Sequence, residues 1–190
     1  HFKLGAADGT SQATKAVALV DGIPCDEKQA SDCAWGKPSE AFGSRFESFD
    51  HGKRLARLPG EPYLFISRIL ETEGEYCGMK KGSKAIAEWD VPDDCVFFSE
   101  NGYPTLPYCV IQEAVLQPCG WLGCFIGCPL EYDTELFFRN LDGTLNLYKE
   151  CIPAGSTIRT EVENTSLAKS GGTIILSFKV EAYLVTHAKE

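Results

Sequence analysis

Residues 108–126 read YCVIQEAVLQPCGWLGCFI. The run follows Pro107, a residue suited to the approach to a helix, and it is too long for one ordinary strand, so it predicts a helix. It is apolar almost all round, which requires protein on most of its faces. Gln112, Glu113, Gln117 and Pro118 interrupt it, leaving it too short and too polar to span a bilayer. Pro118 is expected to kink it. Gly120 and Gly123 remove side chains and allow close backbone approach.

The flanking sequence reads as strands. Tyr63–Leu70 (YLFISRIL) predicts a buried strand, and Ala85–Trp89 a second one stopped by Asp90-Val91-Pro92-Asp93-Asp94. Asn101-Gly102, Pro104 and Pro107 mark a turn-rich loop before the helix. After Cys128-Pro129, residues Leu136–Leu141 and Leu145–Glu150 are expected as strands around Asp142-Gly143. Thr157–Thr165 alternates, with Ile158, Thr160 and Val162 on one face. Ile174, Leu176, Phe178, Val180, Ala182 and Leu184 form another single face, and Gly171-Gly172 joins the two as a hairpin. Two strands, one buried helix and several antiparallel strands predict an α+β domain, a curved antiparallel sheet wrapped around one long central helix. Residues 1–41, rich in Ala, Gly, Ser and Asp, read as a linker or extended arm, with residues 42–190 as the folded domain. Pro38–Phe42 is expected to make a short helical turn closed by Gly43.

The chain has 190 residues, 18 Lys plus Arg and 27 Asp plus Glu, for a formal charge of −9. That is an ordinary globular mix with no basic footprint, so neither nucleic acid nor a membrane surface is an expected partner. Nine cysteines occur without a CxxC pair, and the histidines are His1, His51 and His187. No metal site is expected from that spacing, and no dinucleotide or P-loop fingerprint calls for a cofactor. Several cysteines lie in apolar runs, where they act as small hydrophobes, which favours a reducing, cytoplasmic setting. The first residue is not Met, which suggests a piece of a longer chain.

Glu113 and Gln117 are four residues apart and share one helix face. A carboxyl group in an apolar slot tends toward its neutral form and can give a proton to a leaving hydroxyl, which makes Glu113 the best acid candidate. The alternative is a solvated acid favoured by the helix dipole. His51 lies in a surface-like segment. Cys109 and Cys119 have no His nearby in sequence to activate a thiolate. Trp89, Trp121 and Phe97-Phe98 read as core.

Several stretches together resemble the hotdog dehydratase domains of polyunsaturated fatty acid synthases, relatives of the β-hydroxydecanoyl thioester dehydratase. They are Arg57-Leu58-Pro59, Tyr63-Leu64-Phe65, Glu88-Trp89-Asp90-Val91-Pro92, the run from Leu106-Pro107-Tyr108 to Gln117-Pro118-Cys119-Gly120-Trp121, and Phe138-Arg139-Asn140-Leu141-Asp142-Gly143. The resemblance runs from about Phe42 to Leu184. It implies a hotdog fold that pairs with a second hotdog, in the same chain or as a dimer, the present domain being one half of a double hotdog. It implies dehydration of a 3-hydroxyacyl thioester carried by a phosphopantetheinyl acyl carrier protein, in fatty acid or polyketide synthesis. In that scheme Glu113 and Gln117 are the catalytic pair, while Pro107, Tyr108 and Cys109 at the helix start hold the thioester.

Two departures stand out. Ser99 lies where the resembling domains carry a catalytic His, and Tyr108 where they carry Gly. The resemblance therefore implies a composite site, with the acid from this domain and the His from a partner. The other readings are a non-catalytic structural hotdog and an acyl thioesterase. Lys53, Arg54 and Arg57 are a basic patch available to a carrier protein. The closing strand pattern of the resembling domains is not found before Glu190, so the chain is expected to continue.

Overall fold

The computed structural model describes residues 4–6 (as backbone), 17–149 and 151–185. In chain order the elements are β1 (Leu4–Ala6), β2 (Leu19–Val20), β3 (Ile23–Pro24), α1 (Glu27–Ala34), α2 (Pro38–Phe42), a 3-10 turn at Ser44–Phe49, β4 (Arg68–Glu73), β5 (Lys84–Asp90), α3 (Val96–Ser99), α4 (Tyr108–Phe125), β6 (Thr157–Ser170) and β7 (Thr173–Val185). The main sheet has the order β1-β7-β6-β5-β4. β4 to β7 pair antiparallel, and β1 lies parallel to β7. This is an α+β hotdog architecture, with α4 packed on the face formed by β5, β6 and β7.

Alternation explains which face the helix takes. Ala85, Ala87 and Trp89 of β5 face Val162, Thr160 and Ile158 of β6, which in turn face Val180, Ala182 and Leu184 of β7. These side chains form three rows under α4. The middle row, Ala87–Thr160–Ala182, is small, which leaves room for the bulky helix side chains. Gly171 and Gly172, with φ of 56° and 78°, make the tight turn between Ser170 and Thr173, where both central residues need positive φ. Register shifts at Ile69/Glu71 and Asn164/Ser166 mark bulges that bend their strands around the helix.

The opposite face of the sheet carries a charge network. Glu88, 6% exposed, accepts at Oε2 from Arg68 Nε (2.9 Å) and at Oε1 from Arg159 Nε and Nη2 (2.9 and 2.6 Å). Arg68 also reaches both oxygens of Asp90, which accepts from Thr157 Oγ1 at 2.8 Å. A buried carboxylate is tolerated here because two forked guanidinium groups supply its hydrogen bonds. No helix among the described residues is long and apolar enough to cross a membrane.

Three sequence expectations are corrected. Residues 17–41 are not an extended arm. Asp26 caps α1 by accepting from Gln29 N (3.0 Å), and Gln29 Nε2 donates to Ala41 O. Ala18 N donates to Ile69 O, and Ile69 N to Cys25 O, tying this segment to β4. Val20, Cys25, Ala30 and Cys33 join Phe42, Phe46, Trp121 and Phe125 in one buried cluster, so no boundary falls at residue 41. The short helix at Pro38–Phe42, closed by Gly43 at φ 81°, forms as the sequence suggests.

The second correction concerns Tyr63–Leu70, where only Arg68 onward is strand. The backbone at Tyr63 and Phe65 bonds to the Gln117 side chain instead of to a neighbouring strand. The third concerns Leu136–Leu141 and Leu145–Glu150, which form no strand among the described residues (Glu150 lies outside them). The edge of β7 at Ala182–Leu184 is already paired with β1, so this segment does not pair there.

Replacing Phe42, fully buried against Phe46 and Trp121, by Ala is expected to cost about 3–5 kcal/mol. The measurement is urea unfolding of the two proteins. An unchanged midpoint would show that residues 17–42 do not belong to the core.

Candidate active site

Pro107 precedes the first turn of α4 and offers no side-chain cap. Val110 N and Ile111 N turn back to Pro107 O (3.0 and 3.1 Å), whereas the N–H groups of Tyr108 and Cys109 make no backbone bond among the described residues. Tyr108 and Cys109 are exposed and Pro107 is half-buried. The three residues singled out at the helix start thus present two unspent donors beside an open surface.

One turn further in, Glu113 is half-buried and Gln112 points to solvent. Gln117 is 3% exposed and fully engaged. Its Oε1 accepts from Phe65 N at 2.7 Å, while its Nε2 donates to Tyr63 O at 2.6 Å and to Glu113 Oε1 at 3.2 Å. The helical spacing therefore does bring Glu113 and Gln117 together. Gln117 has a second duty that the sequence does not reveal: it holds the chain at Tyr63–Phe65 against the helix. A buried amide on an apolar helix must find partners for both its ends, a requirement that sequence reading did not use.

That clamp positions an aromatic wall. Tyr63 and Phe97 meet edge-on at 5.3 Å, Phe65 lies 5.8 Å from Phe97, and Phe65 packs on Trp89 at 4.6 Å. Sequence reading placed Phe97 and Trp89 in the core and missed the wall, because its four rings come from three separate stretches of chain.

Ser99, at the end of α3, is exposed, and its hydroxyl donates to Val96 O at 3.0 Å. It borders an open groove with Phe98, Gly102, Tyr103, Pro104, Pro153 and Ala154. The loop between Ser99 and α4 is pinned by Asn101 Nδ2 donating to Thr105 O (2.8 Å) and by Ile152 N donating to Thr105 Oγ1 (2.7 Å). His51 is exposed and follows Asp50, whose carboxylate accepts from Ser39 on α2. His1 and His187 lie outside the described residues. The basic patch is partly engaged: Lys53 donates to Tyr132 O (2.8 Å), and Arg57 to the carbonyls of Asp32 and Ala34 at the end of α1.

The cysteines are unpaired thiols. Burial pushes Cys25, Cys119 and Cys128 up to about 12 and drives Cys33 and Cys124 upward as well, so none of these is a ready nucleophile. Among the described residues no three His, Cys, Asp or Glu side chains converge as a metal site requires.

No family model matches the chain. Among curated proteins it is similar to a polyunsaturated fatty acid synthase polypeptide of Thraustochytrium, 27% identical over 154 residues. That match takes in 80% of this chain and 10% of the synthase polypeptide, so the chain spans about a tenth of that relative's length. It is also similar to the 3-hydroxyacyl-[acyl-carrier-protein] dehydratase FabZ of Bacillus pumilus, 32% identical over 108 residues, which is 56% of this chain and 67% of that enzyme.

Two outcomes follow from this geometry. Gln117→Ala strands the Phe65 N–H and the Tyr63 carbonyl and is expected to cost about 2–3 kcal/mol in urea unfolding, and a loss well under 1 kcal/mol would contradict the clamp. In native protein at pH 8, an aromatic disulfide reagent should titrate Cys109 and Cys151 first. Cys25, Cys33, Cys119, Cys124 and Cys128 should react only on unfolding.

Proposed function

The chain belongs to the FabZ-type family of hotdog-fold 3-hydroxyacyl-[acyl-carrier-protein] dehydratases, and on that premise we propose that it is the acid-bearing half of a composite dehydratase site. The observation that carries the proposal is the Glu113–Gln117 pair on the buried helix. Gln117 occupies Glu113 Oε1 and leaves Oε2 to meet a substrate hydroxyl. In the reaction, a base takes the C2 proton of a 3-hydroxyacyl thioester, Glu113 gives a proton to the 3-hydroxyl, and water leaves as the C2–C3 double bond forms. The Tyr108 and Cys109 N–H groups at the start of α4 polarise the thioester carbonyl, stabilising the charge that develops when C2 loses its proton. The aromatic wall of Tyr63, Phe65 and Phe97 lines the acyl side and keeps water away from the reacting carbons.

The base is an imidazole from a partner hotdog. Ser99 holds the loop position expected for it, and a hydroxyl bonded to Val96 O is no base near neutral pH. The substrate arrives on an acyl carrier protein, whose acidic surface suits the side of the domain bearing Arg54 and Arg57. A cytoplasmic setting accords with the free thiols.

A second reading, a structural hotdog without catalysis, is favoured by Ser99 and by the Tyr108 ring, 49% exposed at the helix start where a small residue eases thioester approach. Glu113→Gln in the full-length protein separates the two. Dehydration of a 3-hydroxyacyl thioester should fall by about 100-fold or more while the circular dichroism spectrum stays unchanged. Unaltered dehydration would exclude Glu113 as the acid. Glu113-dependent hydrolysis of the thioester without dehydration would make the domain an acyl thioesterase.

A further inference from the structure

The loop that joins β4 to β5, residues 74–83, crosses the C-terminal end of α4. Cys77 N donates to Phe125 O (2.9 Å) and Met79 N to Ile126 O (3.0 Å), which satisfies two carbonyls that the helix leaves open. At these contacts Cys77 and Met79 have φ of 54° and 49°, a region that residues bearing a Cβ enter only at a cost. The helix end comes equally close from its own side: a Cβ added at Gly127 would lie 3.0 Å from Cys77 Cα. The loop thus holds Cys77 against the turn of chain that runs from Cys124 to Cys128.

Two neighbours set this thiol apart. Arg45, exposed on the 3-10 turn, hydrogen-bonds the Cys77 sulfur, a contact that raises the guanidinium further above its usual range. A cation beside a sulfur supports attack by that sulfur. The second neighbour is Cys124, 3% exposed, whose thiol is driven upward by burial and by the nearby Cys128 and Cys77 sulfurs. Cys77 itself is half-buried, so one sulfur of the pair has access to solution and a cation, while the other is enclosed at its side. We propose that Cys77 and Cys124 form an internal disulfide when the protein meets a peroxide, with Cys77 as the sulfur oxidised first.

The chemistry balances with hydrogen peroxide as the oxidant. The Cys77 sulfur attacks one peroxide oxygen, the O–O bond breaks, and a sulfenic acid and one water result. The Cys124 sulfur then attacks the Cys77 sulfur, the S–O bond breaks, and the departing hydroxide leaves with the Cys124 proton as a second water. Two thiols are oxidised to one disulfide, and one peroxide is reduced to two waters. Burial removes the reactivity of Cys124 toward reagents in solution, but here its target is a sulfur already beside it. The bond ties the β4–β5 loop to α4 at the end remote from Glu113, and the inference does not depend on the catalytic reading.

The test treats the whole native chain with hydrogen peroxide, blocks the remaining thiols with N-ethylmaleimide and maps the peptides by mass spectrometry. Chymotrypsin cuts after Trp121 and Phe125 and so separates Cys124 from Cys119 and Cys128. A peptide pair joined through Cys77 and Cys124 should appear and should vanish with dithiothreitol. In Cys124→Ala, which lacks the resolving thiol, Cys77 should run on to the sulfinic acid, by about tenfold more than in wild type. Arg45→Met should slow formation of the pair by about tenfold. Melting curves before treatment check that the variants are folded, and the wild-type map decides the matter even if Cys124→Ala is not. Oxidation of the exposed Cys109 and Cys151 without any linked pair overturns the proposal. So does a pair that joins Cys77 to another cysteine, or one that forms as fast without Arg45.

Discussion

An eighteen-residue helix with twelve buried residues has to be enclosed, and most of this fold is the enclosure. The sheet supplies one side through its three rows of inward residues. It cannot reach the other side of Trp121 and Phe125, which is closed by Phe42, Phe46 and the small residues of α1. Val20 of β2, Ala30 and Cys33 of α1, Ala41 and Phe42 of α2 and Phe46 and Phe49 of the 3-10 turn all serve that task. The residues 63–66 and the Thr105–Ile152 contact enclose the N-terminal half, where Phe65, Leu106, Val110 and Ile111 form a second cluster.

Enclosure makes the polar positions of the helix consequential. Gln117 is buried, and its amide is therefore spent on backbone that has no strand partner. The same amide bonds Glu113 and the backbone at Tyr63 and Phe65, whose rings pack on Phe97. One amide thus joins stability to the geometry of the proposed chemistry. Glu113 keeps partial access to solvent. The buried thiols follow the same logic in reverse. They fill space among apolar side chains, and burial itself removes their reactivity.

Much of this was legible in the sequence where a pattern is local. The alternation of β6 and β7, the Gly171-Gly172 turn and the continuous apolar run of α4 each contain their own reason for folding as they do. The spacing of Glu113 and Gln117 also predicts their contact. What could not be read depends on partners far along the chain. Tyr63–Ile66 has strand composition, but its backbone is claimed by a side chain fifty-two residues away. Residues 27–34 bury Ala30, Cys33, Ala34 and even Gln29, a face too small and too polar to register as amphipathic. Leu136–Leu141 has the composition of a strand and no strand partner among the described residues, and composition alone does not reveal whether a partner exists. The role proposed for the loop position of Ser99 rests on resemblance alone, because nothing about an exposed serine points to a base.

The network around Glu88 carries a consequence for folding specificity. Glu88 pairs in register with Arg68 on one side and Arg159 on the other. A slip of one residue between β5 and its neighbours would turn Glu88 toward α4 and leave both guanidinium groups opposite alanine or tryptophan. Buried ions are poor sources of net stability, but an ion that finds partners in only one alignment penalises every other. The triplet works as an indexing pin: it fixes how the three strands are counted against each other, and so decides which residues the sheet offers to the helix.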